Sequence, residues 1–179
     1  GDIVVKHSEE HVNPSETSLI ELEDGSVVFN IRSEAPKRRR IVSVSPDGAT
    51  RWSPPRFDEN LLEPVCMAGF LRLTDTGKNT LLFSNLVPTD FSVRWYDTLC
   101  ERENLTLRLS LDGGKTWPIV KSLEPGWAGY SDLAQAADGE VLCIYEAGRV
   151  DGRLADDRHL TLARFNLEWI KNSKQGALG

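Results

Sequence analysis

The sequence predicts an all-β fold, and three observations lead to that prediction. Short β-prone runs recur along the 179-residue chain and are separated by turn residues. No segment before residue 165 has helical apolar periodicity over three turns. The chain also has 14 Gly, 9 Pro and 5 Trp, which suits a protein rich in turns and aromatic side chains.

The β-prone runs follow one another as hairpins. Asp24-Gly25 and Asp138-Gly139 predict tight turns between adjacent strands, because glycine accepts a positive φ without a steric clash. After the last strand, Leu167–Lys174 predicts one or two helical turns, and 175–179 predicts a frayed tail. The predicted strands are Ser18–Leu22, Val27–Arg32, Arg40–Val44, Phe70–Leu73, Thr80–Ser84, Leu105–Leu109, Leu133–Gln135, Val141–Tyr145 and Leu160–Phe165.

Charge and composition exclude several classes of function. The net charge of -6 argues against nucleic acid and anionic membrane surfaces as partners. No apolar run approaches the roughly 20 residues that span a bilayer. The three histidines form no ligand cluster, and the cysteines at 66, 100 and 143 are widely spaced. We therefore expect no metal site, and we expect the cysteines to be small buried side chains or adventitious thiols. The run Arg38–Arg40 predicts a solvated loop or strand edge.

An internal repeat refines the fold prediction. Ser45-Pro-Asp47-Gly-Ala-Thr-Arg-Trp52 resembles Ser110-Leu-Asp112-Gly-Gly114-Lys-Thr-Trp117. In each copy the Ser and Asp side chains are expected to bond turn amides, and the Trp is expected to pack on the hairpin. These Asp boxes predict structural turns of a β-propeller and carry no chemistry.

Five further segments appear in a fixed order. They are Asn13-Pro-Ser-Glu16-Thr-Ser, Phe29-Asn-Ile-Arg32-Ser, Glu63-Pro-Val-Cys-Met-Ala-Gly69, Arg102-Glu-Asn-Leu-Thr106 and Gly129-Tyr130-Ser-Asp-Leu133. Together with the Asp boxes they resemble the C-terminal half of the sialidase (neuraminidase) family. The resemblance implies a six-bladed β-propeller. At ~40–45 residues per blade, residues 1–170 cover roughly its last three to four blades, and 171–179 form a C-terminal tail.

The resemblance also implies roles for individual residues. Tyr130 is the nucleophile, Glu16 is its base, Arg32 and Arg102 bind the substrate carboxylate, and Glu146 orients an arginine. A neutral tyrosine suits a sugar that carries a carboxylate on its anomeric carbon. Its phenol, with an ordinary pKa near ~10, needs an adjacent base, and arginine forks suit a carboxylate. The implied activity is that of a retaining exo-α-sialidase on sialylated glycans, with a tyrosyl-enzyme intermediate. This mechanism requires no cofactor.

The family's general-acid aspartate and third arginine belong to the N-terminal half. No Arg-Ile-Pro motif of that half occurs here, so we expect this chain to be one portion of a larger enzyme, with the N-terminal half in the same or a separate chain. Two alternatives stay open, namely a non-catalytic glycan-binding or scaffold propeller and a hydrolase for a different nonulosonic acid. A secreted or periplasmic location is favoured, with cytoplasmic and lysosomal locations open.

Overall fold

The computed structural model describes residues 2–74, 76, 79–89, 102–150 and 157–172. Within them the regular secondary structure consists of antiparallel β-strands followed by one short helix. The elements are β1 (Thr17–Glu21), β2 (Val27–Ile31), β3 (Arg39–Ser45), β4 (Arg56–Leu62), β5 (Gly69–Arg72), β6 (Leu81–Leu86), β7 (Glu103–Ser110), β8 (Ile119–Gln135), β9 (Val141–Arg149), β10 (Asp157–Phe165) and α1 (Leu167–Lys171). The predicted all-β class is confirmed.

The first sheet is a four-stranded meander in the order β1-β2-β3-β4. The hairpin between β1 and β2 pairs Thr17 with Ile31 at its open end. Backbone hydrogen bonds extend this ladder beyond the strands, from Arg32 N to Glu16 O (3.2 Å) and from Ser15 N to Arg32 O (2.9 Å). Glu16 and Arg32 therefore face each other as cross-strand neighbours.

The second sheet has six strands in the order β10-β9-β8-β7-β6-β5. The 17-residue strand β8 serves two hairpins, because its first half pairs with β7 and its second half pairs with β9. The pairing with β9 shifts register between Ala128 and Ser131. Such irregularities bend a strand and re-aim its side chains, and Tyr130 lies at this one.

Two parts of this architecture were not predicted. Strand β4 reads Arg-Phe-Asp-Glu-Asn-Leu-Leu, a polar composition that lacks strand alternation. In β8, the sequence predicts only the last three residues, Leu133–Gln135, as strand. Pro125, Gly126 and Gly129 have low strand propensity, but pairing with strands on both sides keeps the segment extended.

Two hydrophobic clusters form the core. One joins the first sheet to β5 and β6, and its aromatic centre consists of Phe70, Phe83 and Trp117 with ring centroids 5.8–6.3 Å apart. The other lies under the second sheet and includes Leu86, Leu105, Leu107, Leu133, Val141, Cys143, Tyr145 and Phe165. The strand β1, which Glu16 directly precedes, and the strand β8, which carries Tyr130, are thus each anchored on a packed face.

The two Asp boxes share one hydrogen-bond pattern. In the second box, Ser110 Oγ donates to Asp112 Oδ1 (2.8 Å), and the same oxygen accepts from the amides of Lys115 and Thr116 at 3.0 and 2.9 Å. Burial acts to raise the pKa of Asp112, but these hydrogen bonds and one from the Thr116 hydroxyl outweigh burial, so the pKa is lowered. The buried Trp117 ring then closes the turn onto the aromatic centre.

The first box repeats this geometry with Asp47 as acceptor. Ser45 Oγ donates to Asp47 Oδ1 (2.9 Å), as do the amides of Ala49 and Thr50 at 3.0 and 2.7 Å. Trp52 lies against the Phe29 ring at 4.3 Å between centroids. Each box therefore stabilises its own turn, because the Asp carboxylate accepts hydrogen bonds from backbone amides that have no partner in the strand ladder.

We predict that Asp112→Ala lowers the free energy of unfolding of the complete protein by about 1 kcal/mol. This is the typical cost of replacing a helix-capping carboxylate, which also accepts hydrogen bonds from backbone amides, with alanine. Asp112→Asn keeps the acceptor oxygen and should lose only part of this stability. Urea denaturation of both variants measures the difference. An unchanged midpoint for the alanine variant would show that the box contributes nothing to stability.

The helix α1 closes the described chain. Asn166 caps it by accepting from Trp169 N (2.9 Å), and Ile170 is buried in the second cluster. The predicted helical turn is present, but it ends at Lys171, and the predicted frayed tail lies outside the described residues. No helix in the described part of the chain is long and apolar enough to cross a membrane.

Candidate active site

The site begins with the pair at the open end of the first hairpin. Arg32 Nη1 donates to Glu16 Oε2, so the cross-strand neighbours are also an ion pair. The Arg32 side chain is about nine-tenths buried, whereas 36% of the Glu16 side chain is exposed. One carboxylate edge therefore remains accessible from solvent beside a fixed guanidinium.

Tyr130 reaches this pair from the second sheet. Its hydroxyl donates to Glu16 Oε1, and its oxygen accepts from Arg32 Nη1 at 2.9 Å. The phenolic oxygen thus lies between a proton acceptor and a cation. Residues more than a hundred positions apart in the chain form one hydrogen-bonded trio of Glu16, Arg32 and Tyr130.

The electrostatics assign protonation states to the trio. Burial, together with the hydrogen bond to Glu16, raises the pKa of Tyr130 against the opposing effect of Arg32. For Glu16, burial acts upward, but the hydrogen bonds from Tyr130 and Arg32 and the charges of Arg32 and Arg102 outweigh it and lower the pKa. At neutral pH the site therefore holds a neutral phenol hydrogen-bonded to an ionised carboxylate, the arrangement in which a base can take the phenol proton.

Arg102, directly before β7, and Glu146, on β9, both border Tyr130. The Arg102 guanidinium carbon lies 5.4 Å from the centre of the Tyr130 ring, and the Arg102 carbonyl accepts from Ala128 N at 3.0 Å. Glu146 Oε2, on β9, accepts from the Tyr130 amide at 2.8 Å. Glu146 thus holds the backbone of the tyrosine, and its expected contact with an arginine stays a prediction.

Gly129 makes the contact between Glu146 and Tyr130 possible. A Cβ atom at this position would overlap the Glu146 carboxylate. The backbone can approach this side chain closely only because position 129 has no side chain. The glycine next to the tyrosine is therefore required by packing.

We predict that Gly129→Ala displaces Glu146, shifts Tyr130 and reduces turnover by about 10-fold or more, since small misplacements of reacting groups are costly. Gly126→Ala is the matched control on the same strand, because its Cβ would meet only the flexible end of Glu124. Steady-state kinetics of both variants, with melting temperatures, measure the effect. Equal kinetics for the two variants would contradict the packing requirement.

The structure corrects the expectation for Arg38–Arg40. Arg40 is fully buried, with an exposed fraction of 0%, and its Nη1 donates to the equally buried Glu63 at 2.7 Å. No local pattern distinguishes Arg40 from its two neighbours, and its partner lies 23 residues away. Its position within the predicted strand Arg40–Val44 was the one available indication that it could point inward.

The cysteines that the structure describes are buried thiols. Burial raises the pKa of Cys66 and of Cys143 to about 12, so both are protonated at neutral pH. The third cysteine, at position 100, lies outside the described residues. In the described ranges, no group of three or more His, Cys, Asp or Glu side chains could hold a metal ion.

Comparison with known proteins relates this geometry to a family. The profile of the BNR repeat-like domain matches residues 4–143, which is most of the chain. The chain belongs to the BNR repeat-like domain family. It is 32% identical over 165 residues to a sialidase of Micromonospora viridifaciens and 29% identical over 149 residues to a sialidase of Bacteroides fragilis. The sialidase family with Asp-box repeats that the sequence indicated is thereby confirmed.

Solved structures support the same fold. The chain superposes with a TM-score of 0.68 on the Hadza microbial sialidase Hz136, at 29% identity over 88% of this chain and 28% of that one. An intramolecular trans-sialidase from Ruminococcus gnavus gives a TM-score of 0.70 at 20% identity, covering 89% of this chain and 34% of that one. The BNR family member described here spans about a quarter of the curated relatives, covering 89% and 79% of its own length but 23% and 25% of theirs. The sialidase propeller fold is confirmed, and the number of blades stays a prediction.

Proposed function

We propose that this chain supplies the nucleophile, its base and two carboxylate-binding arginines to a retaining exo-α-sialidase. The observation that carries the proposal is the hydrogen-bonded trio of Glu16, Arg32 and Tyr130. A tyrosine whose hydroxyl contacts both a carboxylate and a guanidinium is equipped to attack, because the base takes its proton and the cation stabilises the oxygen. The sialidase relatives support the substrate class.

In the proposed reaction, Tyr130 Oη forms a bond to the anomeric carbon of a terminal sialic acid. The glycosidic bond breaks, the phenol proton passes to Glu16, and the leaving oxygen takes a proton from a general acid. Water then attacks the same carbon and gives a proton to the conjugate base of the general acid, the bond to Tyr130 breaks, and Glu16 returns its proton to the phenol oxygen. Two displacements at one carbon give net retention.

Arg32 and Arg102 are proposed to bind the sugar carboxylate. Each guanidinium presents a planar donor fork that matches a carboxylate, which a lysine ammonium does not. Both charges lie close to the Tyr130 phenol. They are therefore placed to favour phenolate character as the nucleophile attacks.

The general acid and a third arginine are proposed to come from the rest of the enzyme, because this chain covers only 23% and 25% of the two curated sialidases that it matches. An exposed apolar patch supports this proposal. Ile144 and Leu162 are cross-strand partners, Leu160 lies two residues along, and these side chains are 47–71% exposed. Further propeller blades that cover this face would remove the apolar area from water.

Hydrolysis of a fluorogenic α-sialoside by the complete protein tests the proposed activity. NMR of the first-formed sugar should show the α anomer, which records retention. A protein that binds sialosides without turnover would instead support the alternative of a non-catalytic glycan-binding propeller. Formation of the β anomer first would contradict the tyrosyl intermediate.

The size of the active species tests the proposed division of the site. We expect the active protein to have a mass well above 20 kDa, because the acid lies outside this chain. Mass photometry or native mass spectrometry of active fractions makes this measurement. An active 20.0 kDa monomer of this chain alone would contradict the division.

A further inference from the structure

Arg40 and Glu63 form an ion pair that is buried beneath the candidate site. Their exposed fractions are 0% and 1%, and Arg40 Nη1 donates to Glu63 Oε2 at 2.7 Å. Each ion also has other partners, so their hydrogen-bonding groups are engaged in several directions. Neither residue belongs to the trio.

The pair holds the chain on both sides of Arg32. On one side, Arg40 Nε donates to the Asn30 side-chain oxygen (2.6 Å), and Nη2 donates to the Asn30 carbonyl (3.4 Å). On the other side, Glu63 Oε2 accepts from the Ser33 amide (3.1 Å). The residue two positions before Arg32 and the residue directly after it are thus fixed by one ion pair.

The same pair also fixes the turn that follows β4. Glu63 Oε1 accepts from the amides of Val65 (2.8 Å) and Cys66 (3.3 Å), and Arg40 Nη1 donates to the Cys66 carbonyl (3.1 Å). Val65 adopts a positive φ of 58°, an uncommon conformation for a β-branched residue, which the surrounding hydrogen bonds hold in place. The pair therefore connects the strand that leads to Arg32 with a strained turn.

A buried ion pair contributes little net stability, because the cost of removing both charges from water offsets their attraction. What this pair does provide is a set of directional hydrogen bonds that fixes the backbone at Asn30 and Ser33. These bonds determine the position from which the Arg32 side chain extends. We propose that Arg40 and Glu63 are positioning residues that hold the Arg32 guanidinium in register with Glu16 and Tyr130. This inference deepens the proposed function and rests on it for its kinetic readout.

The main test is the double variant Arg40→Met/Glu63→Gln in the complete protein. It removes both buried charges together, and the glutamine keeps an oxygen for the amides of the turn. We expect a folded protein in which kcat on a sialoside falls by about 10²-fold while KM changes less, because a misplaced guanidinium weakens the reacting arrangement more than substrate binding.

A second readout does not depend on turnover. In ¹³C-tyrosine NMR, the Tyr130 resonance is assigned as the one that is present in the wild-type spectrum and absent from the spectrum of Tyr130→Phe. In the double variant its pKa should rise further above the ordinary value, because the Arg32 guanidinium that lowers it is displaced while burial, which raises it, remains. If the wild-type protein hydrolyses no sialoside but this shift occurs, the positioning role stands and the proposed function fails.

Two further variants keep the test decisive. Arg108→Met removes another buried arginine, located on β7, and should leave kcat and the Tyr130 titration unchanged. Arg40→Lys keeps a charge against Glu63 but cannot bond Asn30, Glu63 and Cys66 together, so kcat should fall by about 10-fold or more. Arg40→Lys becomes the deciding variant if the double variant does not fold. Wild-type kcat and Tyr130 titration in a folded double variant, or in Arg40→Lys in its place, would overturn the proposal.

Discussion

Tyr130→Phe should lower kcat on a fluorogenic sialoside by roughly 10³-fold or more while the fold is retained. The change removes one oxygen, which is the atom proposed to form the covalent bond, and leaves the ring packed beside Arg102. Removing the nucleophile from a set of catalytic residues that act together lowers kcat by several orders of magnitude. Steady-state kinetics of the complete enzyme, with circular dichroism to verify folding, measure the effect.

Tyr145→Phe is the matched control. Tyr145 lies on the neighbouring strand β9, is buried in the second cluster and pairs across the strands with Ser131, so its hydroxyl is not part of the trio. We expect its kcat to stay close to the wild-type value. If Tyr130→Phe retained more than about a tenth of wild-type turnover, Tyr130 would not be the nucleophile.

Glu16→Gln should lower kcat by about 10²- to 10⁴-fold, the range in which general bases contribute. The glutamine keeps the size of the side chain but cannot accept the phenol proton. The hydrogen bond to Tyr130 and the ion pair with Arg32 are altered at the same time. Pre-steady-state kinetics should locate the loss in formation of the covalent intermediate.

The pH dependence gives Glu16 a separate signature. Burial acts to raise its pKa, but the hydrogen bonds from Tyr130 and Arg32 lower it below the ordinary value of 4.5. The base must be ionised, so kcat/KM should fall only as the pH falls through this lowered pKa. This acid limb should disappear in Glu16→Gln. Glu21→Gln, at the far end of the strand β1 that Glu16 directly precedes, should keep both the rate and the limb. An unchanged profile in Glu16→Gln would contradict the role.

The residues of the trio could be named from the sequence because short motifs carry them in a fixed order. Their meeting could not be derived from spacing alone, because it depends on two separate sheets. Glu16 and Arg32 are neighbours in a hairpin that Asp24-Gly25 predicts. Tyr130 reaches them only because β8 is long, bends at a register shift and pairs on both sides.

Other parts of the site were outside the reach of sequence reasoning. Arg40 and Arg38 have the same side chain, and tertiary packing alone buries the first. The glycine at 129 resembles a turn residue, but it is required by the Glu146 carboxylate on another strand. The strand β4 lacks an alternating pattern and is defined by its neighbour β3. Each of these features is fixed by a partner far away in the sequence.

The central claim is that Tyr130 bonds covalently to the sugar, and peptide mass spectrometry tests it most directly. The complete enzyme is incubated with a fluorinated sialosyl donor, which slows breakdown of the intermediate, and is then digested. We expect one added sialosyl mass on the peptide that contains Tyr130, and no adduct in Tyr130→Phe. An adduct on Glu16 or another residue, or full turnover without any adduct on Tyr130, would contradict it.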